Sequence, residues 1–423
     1  MEAHLENPRG LVPISLILDD SCPVLNLTRP WIRDCWDIAP PHRGQTPRVP
    51  WQELPEEIPA DFARAFADWA GKEGVKGKFS VVPMPAGLGR IDQSLPGVPA
   101  SRLEEWLSII RDRIHPSFDL TPEMITHTFA VDLGTWRMLP RMEQYDWTPD
   151  RTAEELTEYQ ATALTLLRNV GIAAEGVTSP GGYAHGGLDA YAQATLDSSL
   201  AVNGLGVTFF FKEVESVPVP PRVHLSRPER GQAAVSVIAC TDDWFGNWTG
   251  WDLGSPDLCI TEDLQAGRLV EWIRAGQPAI ICSHWPGYYF HDGSGRGFDV
   301  CKEVVRRLNR LDGVLWMRTS EIARYWAARE VAAVTCGPDG VALASTIACP
   351  AFTFRLTGAP DLPLWSGDEP LGRLSPAEDL RPGTVQRRND GLWVCADLQE
   401  GDARLTFSES RPAEWGGTRR QQG

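Results

Sequence analysis

Pro13-Ile14-Ser15-Leu16-Ile17-Leu18-Asp19-Asp20 is an apolar run that ends abruptly in two adjacent carboxylates. A strand covered on both faces reads this way, because little alternation is required of it. The acidic pair then falls at the strand's C-terminal end, where barrels and open α/β sheets carry their chemistry. Two neighbouring anions repel each other, so either solvent at a turn or a cation must accommodate them.

Outward from this strand the pattern alternates. Residues 22–56, with Trp31, Trp36 and Trp51, form a Pro- and Trp-rich segment too long for a simple connector, which predicts a lid or a packed loop. A helix is expected over 56–74, a strand over 78–82, a helix over 102–114 and a third strand over 124–132. Thr148-Pro149 reads as the cap and first position of a long helix that buries Leu156, Tyr159, Ala163, Leu167 and Val170 and closes at Gly171. A short strand at 176 breaks into the turn Ser179-Pro180-Gly181-Gly182. Further strands are expected at 206–212, 234–239, 279–283 and 314–317, and helices at 262–275, 298–311 and 320–329. Seven or eight such alternations argue for a parallel α/β barrel over residues 1–330. From 331 to 423 the β-formers, with Gly337-Pro338-Asp339-Gly340 and Asn389-Asp390-Gly391 as hairpin signals, predict a small antiparallel β domain with a disordered polar tail at 416–423.

Composition narrows the function. The 423-residue chain is 42% hydrophobic and 23% charged, as in an ordinary globular protein, and is long enough for one large and one small domain. A net charge of -16 argues against nucleic acid or an anionic membrane surface as partner. No apolar stretch reaches membrane-spanning length, and no basic region with a hydrophobic core opens the chain, so a cytoplasmic location is expected. Nine scattered Cys without C-x-x-C predict reduced, mostly buried thiols. Seventeen Trp suit either stacking on sugar rings or burial in a large core.

Polar groups recur where strands end: Asp19-Asp20, His127 to Asp132, Ser179-Pro180-Gly181, Asp242-Asp243-Trp244 and Ser283-His284-Trp285. In order and spacing, residues 12–328 resemble the NodB-type polysaccharide deacetylases, carbohydrate esterases with a distorted (β/α)7 barrel. Leu18-Asp19-Asp20-Ser21 is similar to the family's T-F-D-D-G, which implies Asp19 as catalytic base and Asp20 as metal ligand. His127-Thr128 resembles the start of H-[ST]-x-x-H, implying His127 as a second ligand, with Val131 where the second His would stand. Thr178 to Gly181 sits at the place of R-x-P-[YF], without the Arg. Asp242-Asp243-Trp244 resembles the family's Asp/Trp motif, Ile281 to His284 resembles L-x-H with His284 as general acid, and Glu321-Ile322-Ala323 fits the last helix. The resemblance implies Asp19, His284 and Asp242 in catalysis, Ser179, Pro180, Gly181, Trp244 and Trp285 against substrate, and a divalent metal, zinc being expected.

The chemistry has its own logic. Hydrolysing an acylated amine at neutral pH needs an activated water, a base for its proton and an acid for the leaving nitrogen. The third ligand is expected to be Asp132, one residue past the missing His, with His185 on the Gly-rich turn 181–187 as the alternative. No G-x-S-x-G elbow is present, so Ser283-His284 is no serine-hydrolase signature. The expected activity is metal-dependent removal of an acyl group from an amine on a glycan. Hydrolysis of a small amide, or a degenerate barrel that only binds carbohydrate, are the alternatives.

Overall fold

The computed structural model describes residues 1–39 and 48–412. Part of the 22–56 segment and the tail at 416–423 lie outside them. The chain divides into two compact units, one of Val12–Arg227 and Gln232–Ala323, the other of Met1–Leu11, Pro228–Gly231 and the residues from Arg324 onward.

The larger unit is mixed α/β. In chain order its strands are β1 (Val12–Asp19), β2 (Gly77–Val81), β3 (Phe118–Pro122), β4 (Phe129–Asp132), β5 (Arg137–Met142), β6 (Gly176–Thr178), β7 (Val207–Val214), β8 (Arg222–Arg227), β9 (Gln232–Ala239), β10 (Ala279–His284) and β11 (Val314–Trp316). β1 is central and buried from Pro13 onward, which explains its unbroken apolar reading. It pairs in parallel with β2, β10 and β11, and β2 pairs in parallel with β3. At Gly77 a Cβ would stand 1.8 Å from the carbonyl oxygen of Leu16, so only glycine lets β2 lie against β1. A second sheet runs β6-β7-β9-β8, with β8 antiparallel. Single backbone bonds reach between the two sheets at both sides: Glu175 N–H donates to Leu120 (3.1 Å) and Cys240 N–H to Ile280 (2.8 Å).

Several expectations are corrected. The third strand is Phe118–Pro122, which is wholly buried, whereas residues 124–128 form a loop that leads into a β4–β5 hairpin. The long helix starts at Ala153. Thr152 is its cap, accepting from Glu155 N–H while Glu155 bonds back, and Thr148–Asp150 is only a single tight turn. Of the expected stripe, Leu156, Tyr159, Ala163 and Leu167 are buried, whereas Val170, just past the helix end, is half-buried. The helix Leu188–Asn203 and strand β8 had no expectation, and the helix expected at 262–275 is shorter, Arg268–Arg274. Of the 22–56 segment, Thr28–Cys35 is helical, and Trp31, Ile32, Cys35 and Leu54 pack with Met142, Trp251 and Phe290.

The smaller unit is antiparallel β for the most part, in two five-stranded sheets. Glu2–Leu5 pairs with Cys349–Thr357, so the first residues of the chain group with its last third. Both hairpin signals fold as turns, joining Ala333–Cys336 to Gly340–Ser345 and Thr384–Arg388 to Gly391–Leu398. No helix among the described residues is long and apolar enough to cross a membrane.

Candidate metal centre and active site

The ends of β1 and β3 assemble the centre. Asp19 is the last residue of β1, and the chain turns at Asp20, whose φ is +57°. The Asp20 N–H donates to Oε2 of Glu123 (2.7 Å), which follows directly on β3, and Oγ of Ser80 donates to the same oxygen (2.7 Å). Four residues on, His127 also has a left-handed φ, +64°. Its Nε2 lies 2.7 Å from Oδ1 of Asp20 and 3.2 Å from Oε1 of Glu123. Two non-glycine residues in this strained region, side by side in one site, are costly and are held by their surroundings.

Asp20, Glu123 and His127 are buried, and their donor atoms lie within 4.8 Å of one another. Two carboxylates and one imidazole converging this closely fit a divalent ion, since oxygen and nitrogen donors of this kind bind zinc and its neighbours. Burial alone would raise Glu123, but the positive charge of His127 holds its carboxyl down to about 2. His127 itself would be lowered by burial, and the anions Asp20 and Glu123 raise it well above the ordinary imidazole value. The ring's proton thus occupies the place a cation would take.

Two charge pairs flank this cluster. Lys78, on β2 and fully buried, donates to Oδ1 of Asp19 and to Oγ1 of Thr178 (2.7 Å), which in turn bonds Oγ1 of Thr121 (2.8 Å). Burial pushes the Asp19 carboxyl up to about 7, against the pull of Lys78. His284, at the end of β10, places Nδ1 2.7 Å from Oδ2 of Asp243. Burial lowers its pKa, but the anions Asp20 and Asp243 outweigh it and raise the ring to about 10. Asp19, Asp20, Glu123, His127 and His284 all line one cavity of about 260 Å³, with Trp31, Tyr145, Phe211 and Trp248 as aromatic walls. Trp31 and Trp248 meet edge to face, their ring centroids 4.6 Å apart.

The structure brings Asp19, Asp20, His127, His284, Ser179 and Gly181 to this cavity. It does not bring Asp132 there. Asp132 is exposed on β4, with Oδ1 accepting from Thr135 (2.8 Å), and Val131 beside it is buried, as strand alternation requires. The third donor of the set is Glu123. His185 is exposed on its turn. Asp242 is exposed too, and its neighbour Asp243 is the one that meets His284. Trp244 lines a separate groove with Trp251 and His291, and Pro180 is buried outside the cavity lining. Trp285, expected against substrate, is fully buried, its ring 5.4 Å from those of Phe66 and Phe79.

Sequence reading missed Glu123 and Lys78, though both left a signal. Glu123 and His127 are four residues apart, the spacing of the two histidines in H-[ST]-x-x-H, and that spacing offered Glu123 as a partner for His127. Lys78 places a charge inside a strand that is wholly buried, and that charge needs a partner.

No family model matches the chain, and no curated protein matches it. Among solved structures it is similar to a "probable polysaccharide deacetylase from Pseudomonas aeruginosa PAO1" (TM-score 0.43, 10% identity, 75% of this chain and 91% of that one). It is similar to Puue allantoinase as well (TM-score 0.43, 11% identity, 75% of this chain and 90% of that one). These are distant likenesses.

Proposed function

We propose that the larger unit is a metal-dependent hydrolase that cleaves the C–N bond of an acylated amine. One observation carries the reading: a buried Asp20–Glu123–His127 donor set opens on the same cavity as the Asp19–Lys78 and His284–Asp243 pairs. A divalent ion held by the three donors supplies Lewis acidity toward the acyl oxygen and toward water. Asp19, with a carboxyl near 7, takes the proton of the attacking water. Lys78, itself anchored on Thr178, holds that carboxylate in place. His284, kept as imidazolium by Asp243, gives its proton to the departing nitrogen, and the phenyl, indole and phenol rings of the walls exclude bulk water.

The cavity's volume of about 260 Å³ supports a compact substrate: one acylated sugar unit or a small amide. Trp248, half-buried at the cavity wall, offers a face of the kind that sugar rings stack on, which favours the carbohydrate reading. In the same reading, the two sheets are arcs of one seven-stranded barrel, bridged by the Glu175–Leu120 and Cys240–Ile280 bonds. Zinc is the expected ion. Elemental analysis of the purified protein, followed by a screen for acetate, amine and ammonia release from N-acetylated sugars and small amides, tests the proposal. A stoichiometric divalent ion with metal-dependent release supports it. A protein that neither holds nor takes up such an ion overturns it.

A further inference from the structure

Behind the donor set stands a carboxylate that touches neither the cavity nor any donor atom. Glu143 is completely buried just past the end of β5. Its Oε1 accepts from the N–H groups of Ile125 (3.0 Å) and Thr126 (3.1 Å) and from the hydroxyl of Tyr159 (2.5 Å). Its Oε2 accepts from the N–H of His127 (2.6 Å). Three consecutive amides therefore point at one side chain. That is possible only because the loop is wound through positive φ at Met124 (+50°) and His127 (+64°). A carboxylate in such a nest of N–H donors makes charge-assisted bonds, about twice as strong as neutral ones, and these offset the strain. The next residue works on the same histidine from the other side. Nε2 of the Gln144 amide lies 3.0 Å from Nδ1 of His127, the ring nitrogen that does not face Asp20 and Glu123.

We infer that Glu143 and Gln144 are positioning residues that build the metal centre, one fixing the backbone of His127 and the other its ring. This inference rests on the metal-centre reading above. When Nε2 is committed to an ion, Nδ1 carries the proton, and a half-turn of the Gln144 amide brings its oxygen round to accept the Nδ1–H hydrogen bond. Supporting contacts of this kind typically change metal affinity about 10- to 100-fold.

The test measures Zn²⁺ dissociation constants by competition with a chromophoric chelator, alongside melting temperatures of the metal-free proteins. Gln144→Leu removes the ring contact and is expected to weaken Zn²⁺ binding about tenfold or more at an unchanged metal-free melting temperature. Gln144→Glu keeps an acceptor for Nδ1–H and is expected to restore affinity to within a few-fold of wild type. Glu143→Gln sets an amide NH2 against backbone N–H donors and is expected to weaken binding further while lowering the melting temperature. If Glu143→Gln does not fold, the two Gln144 variants decide. Wild-type affinity in Gln144→Leu, or equal loss in Gln144→Leu and Gln144→Glu, overturns the inference while leaving the metal centre intact. A wild-type protein that takes up no Zn²⁺ overturns the metal reading itself, and this inference with it.

Discussion

Lys78 and Asp19 form an ion pair closed to solvent on both sides, their side chains 0% and 5% exposed. Each charge is tolerated only because of the other. Removing one partner of a buried pair typically costs about 3–5 kcal/mol, whereas removing both costs far less. Lys78→Met is therefore expected to lower stability by that amount, and Asp19→Asn/Lys78→Met to recover most of it. Denaturant unfolding of the four proteins in a double-mutant cycle measures this. A Lys78→Met protein within about 1 kcal/mol of wild type would show that the pair is not sealed.

Metal uptake is expected to release a proton. With the His127 pKa raised well above 6.5, the ring is protonated at pH 7, and an ion bound at Nε2 must displace that proton. Affinity should thus rise with pH through the range in which His127 titrates. Calorimetry in two buffers of different ionisation enthalpy reads the released proton directly, and equal heats in both would contradict the assignment.

Glu123 and Asp132 separate the observed centre from the one expected from sequence. Glu123→Ala is expected to abolish tight binding of the ion. Asp132→Ala, altering an exposed carboxylate bonded to Thr135, is expected to leave it unchanged. Equilibrium dialysis of both variants checks the pair, and the reverse pattern would return the third ligand to Asp132.

His284 is expected to set the alkaline limb of the rate. Its raised pKa, about 10, comes from the anions Asp20 and Asp243 after burial has pulled the other way. The stability this pairing contributes is present below pH 6.5 and is lost as pH rises through about 10. Asp243→Asn removes one of the two anions, so the alkaline limb of kcat/KM should move to lower pH. His284→Ala should cost about 100- to 10,000-fold in turnover and keep the ion. An alkaline limb unmoved in Asp243→Asn would assign it to another group.

Trp285 follows a different rule from the tryptophans of the cavity. It is fully buried among Phe66, Phe79 and Tyr288, so Trp285→Ala is expected to destabilise by about 3–5 kcal/mol. Trp248→Ala, at the cavity wall, should act on KM instead. Thermal unfolding and steady-state kinetics on both variants separate the roles.

How much of this was legible follows from where the information lies. β1 and β10 are apolar runs closed by polar residues, and a run of that kind shows itself in one dimension. Phe118–Pro122 hid because Asp119 and Thr121 alternate with its apolar residues, so a wholly buried strand looked half polar. Asp119 is satisfied from far along the chain by Ser320, a compensation no local pattern carries. Asp20 was singled out from a strand end, whereas His127 was placed on a strand and lies in the loop before Phe129; the structure sets the two side by side. Asp243 was confused with Asp242 because which of two adjacent carboxylates faces inward depends on the turn that follows β9, and here it is Asp243 that meets His284. Lys78 needed the fold: its partner is 59 residues away.

The pairing of β1 with β10 reaches beyond the finished molecule to its synthesis. Ser283 Oγ donates to the carbonyl of Ile17 across a separation of 266 residues. On a ribosome adding about 5–20 residues per second, β1 waits roughly 10–50 s for β10 after it has been made. Throughout that interval one edge of the most apolar strand in the unit is open, a template for pairing with other nascent chains. The Asp19-Asp20 pair, uncompensated until Lys78 and His127 have been made, acts as a gatekeeper at the end of that strand in the first part of the interval. The same two carboxylates that equip the finished site would keep the unfinished chain apart from its neighbours.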